Sequence, residues 1–115
     1  MLDDDTVAPQ LREYFEGKRR QLDLPLDLRG VTPFRAEVLR ELAKVPYGET
    51  TTYTELARAV GNPKAVRAVG SACATNPLPI LIPCHRVLRA DGALGGYRGG
   101  VDAKRYLLQL EGIVV

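Results

Sequence analysis

Eight residues in the second half of the chain, Asn76-Pro77-Leu78-Pro79-Ile80-Leu81-Ile82-Pro83, restrict its folding more than any other stretch. Each of the three prolines fixes φ, removes a backbone donor and biases the residue before it away from helix, so no helix runs through this segment. The chain therefore enters Cys84-His85 from a stiff apolar run. Cys84 is one of only two cysteines, and His85 is the only histidine. A thiol is a useful nucleophile as thiolate, and an imidazole takes its proton or stabilises the resulting charge. Successive residues of an extended segment point to opposite faces, however, so adjacency in sequence leaves the side-chain geometry open.

The segments around this run read mainly as helices. Residues 9–20 form a short helix with Leu11, Tyr14 and Phe15 on one side, followed by the proline-punctuated connector Asp23-Leu24-Pro25-Leu26-Asp27-Leu28, which has the look of a strap. Thr32-Pro33 pairs an N-cap with proline at the first helical position and opens a helix striped by Phe34, Val38, Leu39 and Leu42. Pro46 and Gly48 end it. Thr52-Tyr53-Thr54-Glu55 has the form of a capping box and predicts a helix to about Val60. After the Gly61 turn, Asn62 and Pro63 cap a further helix with Val66, Val69 and Cys73 on one side and Lys64, Arg67 and Ser71 elsewhere. Two short helices across a glycine turn make a helix-turn-helix candidate, a weak pattern by itself because many helical proteins contain such corners.

Beyond Cys84, Val87-Leu88 and Ala93-Leu94 flank Asp91-Gly92, which predicts a minimal β-hairpin. Gly95-Gly96-Tyr97-Arg98-Gly99-Gly100 suits a loop whose backbone approaches something closely. A last helix starts near Val101, turns Leu107 and Leu110 inward and ends at Glu111-Gly112, with glycine as C-cap. A carboxylate beside the negative end of a helix dipole is unfavourable, which points Glu111 to a role elsewhere.

Composition narrows the function classes. At 115 residues the chain is one ordinary domain, and 45% apolar with 26% charged residues is globular rather than disordered. No apolar run approaches a membrane helix, and the acidic start Met1-Leu2-Asp3-Asp4-Asp5 is the opposite of a signal peptide, so a soluble intracellular protein is expected. Two cysteines and one histidine fall short of a four-ligand zinc site, and neither a metal nor an organic cofactor is expected. The net charge of +2 is uneven: residues 58–98 carry Arg58, Lys64, Arg67, Arg86, Arg89 and Arg98 against Asp91 alone. Such a basic stripe around Cys84-His85 is either a solvated surface or a phosphate-contacting face.

In order along the chain, Thr52-Tyr53, the run Gly61-Asn62-Pro63-Lys64-Ala65-Val66-Arg67-Ala68-Val69-Gly70, Asn76-Pro77, Ile80 through Val87, Gly96-Tyr97-Arg98-Gly99 and Glu111-Gly112 resemble the C-terminal domain of the O6-alkylguanine-DNA alkyltransferases, or methylated-DNA–protein-cysteine methyltransferases. The resemblance runs from about Thr32 to the end, and residues 10–28 look like the segment linking that family's two domains. It implies a mainly α, winged helix-turn-helix-like domain over 32–115 with a minimal β-hairpin, preceded by a helix and strap over 1–31. The β-rich N-terminal domain usual in the family is absent from this sequence, which reads as either a trimmed chain or a naturally short member.

What the resemblance implies chemically is a stoichiometric transfer that spends the protein. Cys84 attacks the alkyl carbon on guanine O6, with O4 of thymine a further possible target, and keeps the group as a thioether. His85 takes the thiol proton through a water and Glu111 orients the imidazole. Tyr53 hydrogen-bonds the base at N3, a backbone N–H of the Tyr97-Arg98 loop approaches O6, and the carbonyls of Cys84 and Val87 accept the exocyclic amine. Asn76 braces the turn before the cysteine segment. Arg67 is the finger that fills the stack when the nucleotide is flipped, and Lys64 and Tyr53 join it in contacting DNA in the minor groove. The partner implied is double-stranded DNA containing O6-alkylguanine, met by a monomer in the cytoplasm of a prokaryote or the nucleus of a eukaryote. Cys73 reads as an apolar residue of a helix face that borders the base pocket. The alternatives are a non-enzymatic, alkyltransferase-like lesion-binding protein, whose relatives carry tryptophan where this chain has Cys84, and a sequence-specific helix-turn-helix regulator.

Overall fold

The computed structural model describes residues 4–115; Met1 to Asp3 of the acidic start lie outside the described residues. Five helices, two very short strands and one 3-10 turn follow in the order α1 (Asp4–Phe15), α2 (Pro33–Leu42), β1 (Thr51–Thr52), α3 (Tyr53–Ala59), α4 (Val66–Ala74), the turn Cys84–Arg86, β2 (Val87–Leu88) and α5 (Val101–Leu110). No helix among the described residues is long and apolar enough to cross a membrane.

The core is assembled from the apolar stripes of α2, α3 and α4 and closed by the cysteine segment. Val38, Leu39 and Leu42 meet Leu56, Ala57, Val69, Ala72 and Cys73, and Ile82, Cys84 and Val87 seal them. Removing each of the larger side chains from water stabilises the fold by roughly 1.5–3 kcal/mol. Phe34 packs on this cluster without being fully buried.

Several boundaries differ from the sequence reading, each for a local reason. α1 spans Asp4–Phe15 rather than 9–20, carrying Pro9 inside it and closing where the Lys18 N–H reaches Glu13 O (2.8 Å). Thr32 occupies the cap of α2 in an extended conformation, but its hydroxyl makes no capping bond; Pro33 brings no N–H that needs one. The α3 box is half formed: Thr52 Oγ1 accepts the Glu55 N–H (3.0 Å), while its own hydroxyl turns to Glu55 Oε1 (3.3 Å).

The helix predicted from Asn62-Pro63 starts instead at Val66, with Ala65 at the cap position. Gly61, at φ +75°, ends α3 by donating to Arg58 O, and the Asn62 N–H follows to Ala57 O (2.9 Å each). This is a Schellman closure, which only a residue at ease with positive φ permits. Asn62 is thereby committed to ending α3, and its carbonyl accepts the Ala65 N–H (3.0 Å) in a further turn, leaving Lys64 exposed in that turn rather than on α4.

The hairpin expected over Val87–Leu94 shrinks to its tip. Gly92 donates to Arg89 O (2.9 Å) and Arg89 N to Ala93 O (3.0 Å), but no ladder follows. Val87–Leu88 pairs instead in parallel with Thr51–Thr52. On α5, Leu107 and Leu108 are the buried leucines and Leu110 is only partly covered.

Candidate active site

Asn76 organises the proline-rich entry. Its Nδ2 donates to Ile82 O (2.8 Å) and its Oδ1 accepts the Leu78 N–H (2.9 Å), so one buried amide ties both ends of the segment. Within that loop Ile80 stands at φ +74°, a strained conformation for a β-branched residue that such bracing sustains. The loop delivers Pro83 into the 3-10 turn Cys84–Arg86, where successive residues point in diverging directions rather than to two opposite faces.

Cys84 looks toward a cavity of ≈370 Å³ lined by Tyr53, Gly70, Cys73, Ala74, Gly96, Tyr97 and Arg98. A smaller apolar recess of ≈230 Å³, bordered by Asn76, Pro79 and Gly99, opens on the same thiol. Tyr53 sits at the N-terminus of α3, directly after β1, and Tyr97 comes from the glycine-rich loop. A Cβ on Gly99 would lie 3.1 Å from the Tyr97 ring, which is the close approach the glycines suggested. Burial pushes the Cys84 thiol up, opposed by hydrogen bonding from Asn76 and Tyr97 and by the Lys104 charge. Burial, then the neighbouring Cys84, takes Cys73 up to about 12, and the same two causes take Tyr97 to about 12.

His85 faces away from this cavity into the interior, with no exposed surface. Its Nε2 lies 2.7 Å from Glu111 Oε2. Glu111, at the C-cap of α5, is the hub of a buried network. Arg86 grips both its oxygens (2.8 and 2.9 Å), the Gly48 N–H reaches Oε1 (3.1 Å) and the Tyr14 hydroxyl donates to Oε2 (2.6 Å). Burial alone would raise its pKa, but the bonds from His85, Arg86, Tyr14 and Gly48 outweigh burial and hold the carboxyl far below the usual carboxylate range. An ionised Glu111 requires a donor from His85, so Nε2 carries the proton and Nδ1 is the acceptor. Nδ1 is buried and has no hydrogen-bond partner among the described residues.

Arg86 therefore does not belong to the surface stripe in which the sequence placed it; it is buried, and its remaining nitrogen Nη1 donates to Val45 O (2.7 Å). Arg58, Lys64, Arg67, Arg89 and Arg98 are exposed. Arg67 lies on the face of α4 that also carries Gly70 and Ala74, both of which line the Cys84 cavity. Val87 is fully buried outside that cavity, its carbonyl holding the Lys104 ammonium (2.5 Å), which also reaches Gly96 O (3.3 Å). The structure thus brings Cys84, Tyr53, Tyr97 and Arg98 around one cavity, sets His85 and Glu111 behind it, uses Asn76 as a brace, and leaves Val87 to the side.

Tyr14, Arg86 and Lys104 went unrecognised in the sequence. For Lys104 a signal was present: Lys104, Leu107, Leu108 and Glu111 recur at the spacing of one helix face, which places two charged residues on a buried stripe. For Tyr14, a tyrosine on an apolar stripe needs a partner for its hydroxyl when buried.

The profile of the 6-O-methylguanine DNA methyltransferase DNA-binding domain matches residues 33–113, and the chain belongs to that family. It is 51% identical over 105 residues to a methylated-DNA–protein-cysteine methyltransferase of Methanosarcina barkeri, covering 91% of this chain and 66% of that protein. The constitutive methylated-DNA–protein-cysteine methyltransferase of Bacillus subtilis is 50% identical, over 90% of this chain and 63% of that protein. The chain thus spans a little under two thirds of the length of these curated relatives. In structure it superposes on Mycobacterium tuberculosis OGT crystallised in complex with DNA, with a TM-score of 0.89 and 48% identity, over 93% of this chain and 66% of that one.

Proposed function

We propose that this chain repairs DNA by moving an alkyl group from O6 of guanine to Cys84, each molecule acting once, with residues 32–115 as the unit that binds DNA and performs the transfer. The observation that carries the reading is the convergence of a nucleophile and two phenols on one cavity, with an imidazole whose acceptor nitrogen is unpartnered locked behind it by a carboxylate. Family membership and the likeness to a DNA-bound relative support it.

The alkyl carbon is attacked in line by Cys84 Sγ: the S–C bond forms as the C–O6 bond breaks, and the electron pair leaves with the base. Because burial disfavours the free thiolate, the proton must be removed as the reaction proceeds. His85 Nδ1 receives it through a water, and the ionised Glu111 offsets the imidazolium. The guanine anion is stabilised by the Tyr53 phenol at N3 and by a backbone N–H of Tyr97-Arg98 at O6, and takes up a proton from solvent. The Cys84 carbonyl accepts the exocyclic amine, whereas that of Val87, buried outside the cavity and held by Lys104, does not reach it.

A base inside a duplex cannot reach a thiol at the bottom of a cavity, so the nucleotide is extruded, at an unstacking cost on the order of a few kcal/mol. Arg67, on the cavity side of α4, fills the vacated stack, and Lys64 with the other exposed cations holds the phosphates in a minor-groove complex that is indifferent to sequence. The partner is duplex DNA carrying O6-alkylguanine, met by a monomer wherever the genome resides.

The test is incubation with duplex DNA containing O6-methylguanine followed by peptide mass analysis. Gain of one methylene on the Cys84 peptide is expected. An unmodified Cys84 overturns the reading, and tight lesion binding without methyl uptake replaces it with that of a lesion-flagging protein.

A further inference from the structure

Tyr14 belongs to α1, outside the residues the family profile matches, yet its hydroxyl ends on Glu111 Oε2 at 2.6 Å from a position 97 residues away. We propose that Tyr14 is a positioning residue for the transfer step: from the strap helix it fixes Glu111 and, chiefly through Glu111 but also by the longer approach of its hydroxyl to His85 Nε2 (3.5 Å), the protonation and orientation of His85. The inference rests on the reading in which His85 accepts the Cys84 proton.

Three features support it. Tyr14 is 1% exposed, and burial followed by the adjacent carboxylate raises its pKa, so the phenol remains a donor wherever the protein is folded. Glu111 Oε2 takes Tyr14, His85 and Arg86 together, and each added donor lowers the pull that this oxygen exerts on the His85 N–H. Tyr14 and Arg86 also line a second cavity, of ≈480 Å³, between the strap and the body. The phenol, bonded to a carboxylate that does not itself line this cavity, thus stands between the two. The titratable and charged groups packed about Glu111 and its donors are Tyr14 from α1, Tyr47 at its edge with Arg20 of the strap over the Tyr47 ring, and His85 and Arg86 from the 3-10 turn; Lys44 borders the same cavity as Tyr14, and Lys104, on Glu111's own helix, is engaged by Val87 and Gly96. Among the described residues, Tyr14 is thus the one contributor to the network from before residue 33.

A structural tether and a positioning residue predict different behaviour when only the hydroxyl is removed. Tyr14→Phe keeps the ring that packs edge-on against Phe15 and Tyr47. With one donor gone, Oε2 holds the imidazole proton more firmly, so the acid limb of the transfer-rate profile moves to higher pH by about half a unit or more, the worth of one modest hydrogen bond. The rate below that limb falls by about the same factor, roughly threefold.

The experiment measures methyl transfer to Cys84 from duplex O6-methylguanine DNA against pH, for the wild type and for Tyr14→Phe, with thermal melts to set a temperature at which both are folded. A second variant carries 3-fluorotyrosine at position 14, a stronger donor, and shifts the limb to lower pH; it keeps the test decisive should the phenylalanine variant fold poorly. Opposite shifts in the two variants establish the role. A wild type that transfers, with both variants tracing its profile, overturns the Tyr14 proposal and leaves the transfer reading standing. A wild type that never methylates Cys84 overturns the transfer reading, and the Tyr14 proposal falls with it.

Discussion

Glu111→Gln removes one charge and almost no volume, and the structure lets its cost be worked out donor by donor. The carboxylate accepts five donors: Arg86 Nε and the Gly48 N–H on Oε1, and Tyr14, His85 and Arg86 Nη2 on Oε2. If the glutamine oxygen takes the Oε1 position it keeps Arg86 Nε and Gly48, and its NH₂ faces the other three. Tyr14 can rotate its hydroxyl and His85 can exchange tautomer to accept, but Arg86 Nη2 cannot. The opposite orientation sets the NH₂ against two fixed donors and is worse. The better arrangement still leaves one buried guanidinium donor facing an N–H and the Arg86 charge without its counter-ion. Breaking a buried pair in this way costs about 3–5 kcal/mol, a large share of the roughly 5–15 kcal/mol that holds a domain together.

Urea unfolding followed by circular dichroism is the assay. With a slope near 1.5 kcal/mol per molar, the midpoint falls by about 2–3 M. Acid supplies a second readout with a definite sign. Glu111 is held ionised far below its ordinary range, so its contribution is whole above about pH 4.3, its value in the unfolded chain, and drains away as pH falls below that. Glutamine has nothing to lose there, so the gap between wild type and variant narrows toward acid. A midpoint shift under about 0.5 M, or a gap that stays constant down to pH 3, would refute the view of Glu111 as a saturated anionic hub.

Further outcomes can be checked with simpler assays. Arg67→Ala slows transfer from duplex DNA by about tenfold or more while leaving transfer from free O6-benzylguanine nearly unchanged, because only the duplex requires flipping; equal losses on both remove the finger role. Asn76→Ala orphans Ile82 O and the Leu78 N–H, and lowers stability by about 2–3 kcal/mol in denaturant titration. Iodoacetamide labelling of Cys84 in the free protein rises steadily with pH through about 9, since burial raises the thiol; a plateau near pH 7 would reveal a preformed thiolate.

The starts of α2 and α3 were legible because their apolar stripes and turn residues agree with the packing they enter, and α3 ends where it was expected; α2 closes at Leu42, short of the Pro46 stop. Helix α4 was misplaced at its start because Asn62-Pro63 is a sound cap in isolation, and only the closure of α3 at Gly61 claims Asn62 first. The parallel pairing of Thr51–Thr52 with Val87–Leu88 carries no local signature, since each strand is two residues long and the partners are distant in sequence. Around the thiol, Cys84 and His85 were visible as an adjacent pair and Glu111 as a misplaced carboxylate. Arg86 was not, because a basic residue in a basic stretch reads as surface until a buried anion is found to face it. Tyr14 escaped for a similar reason: its partner lies at the other end of the chain.

The two-rung pairing of β1 with β2 ties the Tyr53 phenol to the cysteine segment. Tyr53 follows β1 directly, and Cys84–Arg86 immediately precedes β2, so the rungs Thr51–Val87 and Thr52–Leu88 act as a buckle across the feet of a long loop. Everything from 53 to 86, including both helices of the helix-turn-helix unit and the proline-rich entry, is carried within that loop. The buckle keeps the Tyr53 phenol and the Cys84 thiol in step. Slipping the register by one residue would turn alternate side chains to the wrong face, so the spacing between the Tyr53 phenol and the Cys84 thiol is set by a sheet of only two rungs.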